Sequence, residues 1–377
     1  MPYWRLSSFY FTYFALLGAI VPFWAMYLSD QGYSPIEIGV LSAILMGTKV
    51  ISPYILGWLA DKTGKPMRVI RYSALLAFIC FLAIFFVSGF YWLIIIVASF
   101  TFFWNAVIGQ FESVTLAYLG EGYTRYGSVR AWGSIGFIVA VIALGWVFDR
   151  VAIEYLPVFM AVMLLSIWLS SLWVKEREVS LIHEESRGLA SIFKRPSVRA
   201  FFIVCFLLQF SHGAYYTFYS LYLIDYGYSK PLIGLFWGGA VIAELVLFLA
   251  MSRVLQWFSV RGILMFSLAC CAVRWSLIGL YPENITLLIF AQILHAGSFA
   301  SFHAVAVTWI RHSFGNSHQG QGQALYSAVS FGAGGSVGAI FSGSLWDYNP
   351  TLVWLISALA GLIACLIIWR FVKEPSY

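Results

Sequence analysis

The sequence predicts an all-α membrane protein whose twelve transmembrane helices form two pseudo-symmetric six-helix bundles. Three observations predict it: a composition too apolar for water, twelve long apolar runs, and an internal repeat at a constant offset. Of 377 residues, 61% are hydrophobic and 10% are charged, and the mean hydropathy is +0.85. A soluble domain carries about 25% charged residues to cover its surface, so lipid is the outer solvent. Cys80, Cys205, Cys270, Cys271 and Cys365 all lie inside apolar stretches. Their spacing fits neither a zinc site nor a disulfide framework, and no metal site is expected.

Runs long enough to cross a hydrocarbon core fall near 9–28, 36–58, 69–88, 91–118, 127–148 and 153–174, then near 198–222, 231–252, 262–281, 284–311, 321–345 and 350–372. A transmembrane barrel needs alternating segments of about ten residues, which these uniformly apolar runs are not. The first run is long and continues directly into a second, so no cleavable signal peptide is expected.

Of the 22 Lys and Arg residues, 17 lie at one set of span ends; only Arg150 and Lys230 fall in the opposite loops. By the positive-inside rule both termini are cytoplasmic. The formal charge of +6 therefore reports topology and not a nucleic-acid partner. The polar stretch Lys175–Ser197 mixes both charge signs and divides the chain into bundles at 1–174 and 198–377 joined by a cytoplasmic linker at 175–197. A short surface helix is expected near Ser186–Phe193.

The two halves match at an offset of 195 residues. Tyr27-Leu28-Ser29-Asp30-Gln31-Gly32-Tyr33-Ser34 is echoed by Tyr222-Leu223-Ile224-Asp225-Tyr226-Gly227-Tyr228-Ser229, and Ile38-Gly39 by Ile233-Gly234. A parallel repeat of six spans implies a substrate site at mid-depth between the bundles. The same offset sets Lys49 against Glu244, a buried cation and a buried carboxylate in equivalent helices.

A charge at mid-bilayer is costly unless paired or hydrated, so Lys49, Glu112, Arg130, Glu244 and Arg274 are functional candidates. The bland alternative for each is a static ion pair. Three cations against two carboxylates leave a spare positive charge, which suits an anionic solute. His212, His295 and His303 lie in spans seven and ten, and histidine changes charge near physiological pH. Asn105, Gln110, Gln209 and Gln292 read as interhelical hydrogen-bonding residues. Aromatic residues crowd the equivalent spans one and seven, and Tyr13, Trp24 and Tyr216 among them are candidates to line a pocket. Gly334 and Gly338 form a small-xxx-small packing face inside an apolar span. No H-E-x-x-H or similar catalytic cluster is present, so no catalytic residues are expected, and no soluble signalling domain is visible.

Gly57-Trp58-Leu59-Ala60-Asp61-Lys62-Thr63-Gly64-Lys65-Pro66-Met67-Arg68 resembles the G-x-L-A-D-x-x-G-[RK]-x-x-[RK] loop of the major facilitator superfamily. The resemblance implies the major facilitator fold and a gating role for Gly57, Asp61, Gly64, Lys65 and Arg68. Gly57 then allows close helix approach and Asp61 meets the positive N-terminus of a partner helix. The equivalent loop of the second half is degraded, with Ser252, Gln256 and Ser259 at the matching positions.

Gly127-Ser128-Val129-Arg130-Ala131-Trp132-Gly133-Ser134-Ile135-Gly136-Phe137, with Glu112 eighteen residues before Arg130, is similar to the lactose permease branch of proton symporters. Glu244, Arg274 and His295 resemble further elements of that branch, but Ser298 stands where it carries a proton-binding glutamate. A match over essentially the whole chain is to the 3-phenylpropionate transporter family, through Phe11-Thr12-Tyr13-Phe14, Pro22-Phe23-Trp24, Val129–Ser134, Val273-Arg274-Trp275, Gln292–His295 and Tyr326–Val329. This implies uptake of an aromatic monocarboxylate together with protons, across a bacterial inner membrane, by a monomer. Arg130 with Lys49 or Arg274 holds the polar end of the substrate, Glu112 pairs with Arg130 or receives hydroxyls, and Glu244, His295 and His303 serve the proton. The proton gradient is the energy source and no cofactor is expected. A sugar or nucleoside symporter is the alternative.

Overall fold

Twelve helices are long and apolar enough to span a bilayer: α1 Tyr3–Asp30, α2 Pro35–Thr63, α3 Pro66–Phe85, α4 Phe90–Leu119, α5 Tyr126–Phe148, α6 Ile153–Leu172, α7 Pro196–Asp225, α8 Lys230–Trp257, α9 Val260–Leu280, α10 Ile285–Phe314, α11 Gln319–Trp346 and α12 Pro350–Phe371. The computed structural model describes residues 2–120, 125–176, 192–315 and 318–372, and no strand occurs among them. Helix is the form that satisfies every backbone group within one segment where water is absent. Several helices run past the expected apolar runs. α1 starts six residues early, and Arg5 within it donates to the carbonyl of Trp173 (3.4 Å). A helix end ordered by such a contact needs no apolar side chains of its own. Pro22 and Pro53 lie inside α1 and α2. The surface helix expected at Ser186–Phe193 lies outside the described residues up to 191.

The repeated D-x-G-Y-S segment is a helix stop followed by a helix start. At the end of α1, Tyr33 N–H donates to Leu28 O (3.1 Å) and Gly32 N–H to Ser29 O (3.0 Å). At the end of α7, Tyr228 N–H donates to Leu223 O (3.0 Å) and Gly227 N–H to Ile224 O (2.9 Å). Both are Schellman C-caps, which need a left-handed residue; Gly32 has φ 81° and Gly227 φ 80°. In the first copy Glu37 then accepts from the Ser34 N–H (2.8 Å), the return half of a capping box.

The chain clusters into two compact units, one of residues 1–182 with 229–238 and one of residues 183–228 with 239–377. The division departs from the expected 174/198 boundary by placing the first turns of α8 with the first unit. There Lys230 Nζ donates to Phe148 O at the end of α5 (2.8 Å), a cation on the negative end of a helix.

Within the first unit, α1 packs on α5 and α6, and α4 packs on α2 and α3. α1 and α5 approach so closely that a Cβ at Gly136 would strike the carbonyl of Phe11. Asn105 on α4 donates to Leu45 O (3.0 Å) and Thr48 Oγ1 (2.8 Å) on α2. In the second unit, α7 packs on α11 and α12, and α9 packs on α10 and α12. A Cβ at Gly334 would lie 2.6 Å from Phe206 O, and one at Gly338 would strike Phe210 O. The small-residue face expected at Gly334 and Gly338 is thus the α7 contact. Phe11 and Phe206 are 195 residues apart, so both bundles use the same backbone approach.

One feature has no counterpart in the first unit. α10 is π-helical over Ala296–Ala300 and α11 over Ala328–Gly334, whereas α4 and α5 are α-helical throughout. π turns are frequent at functional sites.

Candidate substrate and coupling sites

The first unit brings Glu112 on α4 and Arg130 on α5 together, Nε to Oε1 at 3.5 Å, each side chain about one-third exposed. The guanidinium lies over Phe14 (4.1 Å) and Tyr10 (5.5 Å), a cation–π seat on α1. Tyr10 is held by its hydroxyl on Thr115 (3.2 Å). Tyr13, one helix turn from Phe9, stacks on Trp104 (5.1 Å). Lys49 on α2 is half-buried and makes no hydrogen bond or ion pair among the described residues. Its neighbour Thr48 is engaged with Thr101 (3.1 Å).

In the second unit Arg274 on α9 is fully buried. Its Nε donates to Ala291 O (3.0 Å), its Nη2 to Gln292 Oε1 (3.4 Å), and its Nη1 lies 3.0 Å from His295 Nδ1. A guanidinium has donors only, so His295 Nδ1 is the acceptor and the ring proton sits on Nε2. That nitrogen faces Glu244 Oε2 at 3.5 Å. The chain of donors therefore runs Arg274 to His295 to Glu244. His295 cannot take a second proton at Nδ1 while the guanidinium occupies it. The guanidinium lies over both Tyr215 (4.0 Å) and Trp275 (4.4 Å), neighbouring rings with centroids 5.4 Å apart.

Gln292 is the polar residue whose role the sequence understates. It accepts from Tyr215 (2.9 Å), donates to Tyr219 (2.6 Å) and accepts from Arg274. Its spacing from His295 places it on the same helix face, which is the signal that could have raised it. His212 uses Nδ1 to donate to the carbonyl of Leu208 four residues back (2.8 Å) and sits edge-on to Trp275 (4.9 Å), a packing role. His303 bonds the Tyr326 hydroxyl through Nδ1 (3.1 Å). Tyr216 is half-buried beside His212 (5.8 Å). Trp24 is 2% exposed and stacks on Tyr27 (5.5 Å), inside the packing of α1.

At the signature loop, Gly64 caps α2 at φ 64°, followed by Lys65 and by Arg68 in the first turn of α3. Two expected contacts are not made among the described residues. A Cβ at Gly57 meets nothing within 4 Å there. Asp61 is exposed and makes no hydrogen bond among the described residues. The carboxylate that caps a helix here is instead Glu176, beyond α6. Its two oxygens accept from the N–H groups of Met67 (2.9 Å) and Arg68 (3.1 Å) at the N-terminus of α3. Arg71 Nη2 donates to Val174 O (2.5 Å) and Tyr118 to Lys175 O (2.9 Å), fastening the same stretch of chain.

Two repeated six-helix bundles with charged clusters inside their spans have the architecture of a multi-pass membrane transporter. The chain belongs to the MFS_1-like family of the major facilitator transporters, whose model matches residues 3–356. It is 31% identical over 369 residues to the probable 3-phenylpropionic acid transporter of Escherichia coli K12, with 95% of each chain covered. It is 24% identical to the maltose permease of Geobacillus stearothermophilus, covering 97% of this chain and 93% of that one. The crystal structure of the nucleoside transporter NupG superposes with a TM-score of 0.86 at 18% identity, covering 98% of this chain and 99% of that one. The protein is thus a multi-pass inner-membrane transporter.

Proposed function

We propose that the protein is a proton-coupled symporter that imports a small aromatic carboxylate such as 3-phenylpropionate by alternating access, with both termini cytoplasmic. The observation that carries this reading is Lys49. Of the cations Lys49, Arg130 and Arg274, which lie away from the span ends, Arg130 has Glu112 and Arg274 has His295 and, through it, Glu244. Lys49 makes no pair among the described residues. An ammonium at mid-membrane without a partner costs several kcal/mol, and a substrate carboxylate supplies the missing charge. The 31% identity to the probable 3-phenylpropionic acid transporter supports the same cargo.

In this reading Lys49 and Arg130 receive the carboxylate and Glu244 takes the transported proton. His295, fixed as a donor by Arg274, presents its Nε2–H to ionised Glu244 and loses that hydrogen bond's charge assistance when Glu244 is protonated. The proton gradient is the energy source; no cofactor is needed, and one chain suffices. A sugar or nucleoside symporter is the second reading. The Glu112–Arg130 pair favours it, because an internally neutral acid–base pair offers acceptor and donor to a hydroxyl.

The test is uptake into proteoliposomes under an imposed pH gradient, with 3-phenylpropionate, maltose and a nucleoside compared. Accumulation of 3-phenylpropionate alone is expected, and accumulation of either other solute in its place overturns the substrate. Glu244→Gln is expected to abolish uphill accumulation while retaining exchange. Full accumulation by that variant overturns the coupling assignment.

A further inference from the structure

The two π turns bring a set of rings together that the repeat alone does not call for. Phe299 lies in the π turn of α10 and Phe331 in that of α11, with their centroids 6.1 Å apart. His303 completes a triangle, 6.2 Å from Phe299 and 6.1 Å from Phe331. Tyr326 stands behind, 5.7 Å from His303 and 5.8 Å from Phe331, bonded to the imidazole. Tyr326 is buried, whereas Phe299, His303 and Phe331 are half-buried, so each of these three rings keeps part of its surface accessible.

The groups beside these rings are polar. Phe299 stacks on His295 (5.4 Å, 7°) as well as on His303, and His295 holds Glu244. A face that carries a carboxylate and two imidazoles is expensive to set against hydrocarbon. The lipid side of α10 is instead marked by Ile289, Phe290 and Ile293, exposed at 47%, 49% and 55%. The repeat does not carry this set over: the positions 195 residues before Phe299 and His303 are Trp104, buried against Tyr13, and Ile108.

We infer that Phe299, His303 and Phe331, backed by Tyr326, form an aryl-binding surface in the second unit that selects solutes carrying an aromatic ring. The inference rests on the proposed transport of an aromatic solute and adds the residues that recognise the ring. Offset-stacked or edge-on ring contacts add to what area burial alone supplies. A saturated ring of the same size fills the space but forgoes this term. The surface therefore discriminates phenyl from cyclohexyl.

The experiment measures binding to the purified full chain of 3-phenylpropionate, 3-cyclohexylpropionate, inosine and ribose. The wild type is expected to prefer the phenyl to the cyclohexyl acid. Phe299→Leu and Phe331→Leu are each expected to reduce that preference roughly three- to tenfold, through weaker phenyl binding. Phe299→Tyr and Phe331→Tyr, which keep a ring, should retain it and so separate recognition from folding. An unchanged preference in both Leu variants overturns the aryl surface and leaves the carboxylate substrate standing. If the wild type binds inosine but not 3-phenylpropionate, the carboxylate reading falls. In that case Leu variants that lose inosine over ribose sustain the aryl surface, and variants that do not overturn it. A wild type that binds none of the aryl solutes overturns both.

Discussion

The turns at Tyr27–Ser34 and Tyr222–Ser229 are the same structure made twice, down to the Schellman bonds and the left-handed glycine. Lys49 and Glu244 are also 195 residues apart, yet one is a cation with no pair among the described residues and the other a carboxylate held by a histidine. Gly136 and Gly334 preserve one helix contact on Phe11 and Phe206, while the π turns of α10 and α11 have no partner in α4 and α5. Similarity survives where helix ends and close packing demand it. Difference gathers at mid-span, where polar groups are expensive and are kept for what they do. The first unit keeps its acid–base pair partly open, and the second seals its arginine among aromatic rings.

The largest expected effect separates the two arginines. Arg274 is fully buried and donates to three acceptors, so Arg274→Gln leaves the Glu244–His295 pair without its cation and should cost about 3–5 kcal/mol of stability. Arg130 and Glu112 are about one-third exposed, so Arg130→Gln should cost at most about 1 kcal/mol while impairing substrate binding. Thermal midpoints in detergent check this. Equal midpoints for the two variants would break the contrast between a sealed and an open cluster.

Next comes Lys49. Removing one member of a desolvated charge pair costs about 2–5 kcal/mol, so Lys49→Gln should weaken 3-phenylpropionate binding by roughly 30-fold or more. Binding of the neutral 3-phenylpropionamide should hardly change. Parallel loss of both ligands would make Lys49 structural and remove the asymmetry with Glu244.

Much of this is legible in the sequence, for a physical reason. Span number, the two-bundle architecture and the paired turns follow from apolar length and the D-x-G-Y-S repeat, which are local properties. Lys49, Glu112, Arg130, Glu244 and Arg274 can be named because charge inside an apolar run stands out. What stays hidden depends on three-dimensional register. The π turns leave no apolar period to read, so Phe299 and Phe331 look like any other Phe among 33. Glu176 lies in a mixed-charge stretch where nothing marks one carboxylate as the cap of α3, more than a hundred residues away. The contacts expected of Gly57 and Asp61 rest on loop pattern alone, and a pattern does not report which partner is present.

The cap by Glu176 gives a smaller effect. α3 has Lys65 at its N-cap with no side-chain bond of its own, so the Met67 N–H depends on the distant carboxylate and the Arg68 N–H is shared between it and Lys65 O (3.1 Å). Glu176→Ala should cost about 1–2 kcal/mol, the range of a lost N-cap. Amide exchange should rise at Met67 and Arg68. The degraded counterpart offers a control: α9 is capped locally by Ser259, which accepts from Gly262 N–H (3.1 Å), so its protection should not change in that variant. Loss of protection in α9 as well would mean that the two loops are not independently capped.

The smallest effect tests the likeness itself. A Cβ at Gly32 or at Gly227 would meet nothing within 4 Å, so substitution by Ala incurs only the backbone cost of holding a non-glycine residue at φ near +80°. That cost is about 1–2 kcal/mol and arises from the clash of Cβ with the following carbonyl. It should be the same in both places, because the two Schellman hydrogen bonds are the same to within 0.1 Å. Gly32→Ala and Gly227→Ala are therefore expected to lower the thermal midpoint by matching amounts, a few degrees at most, with transport unimpaired. Unequal shifts would show that one turn carries a load the other does not, and a loss of transport in only one would place gating in that turn.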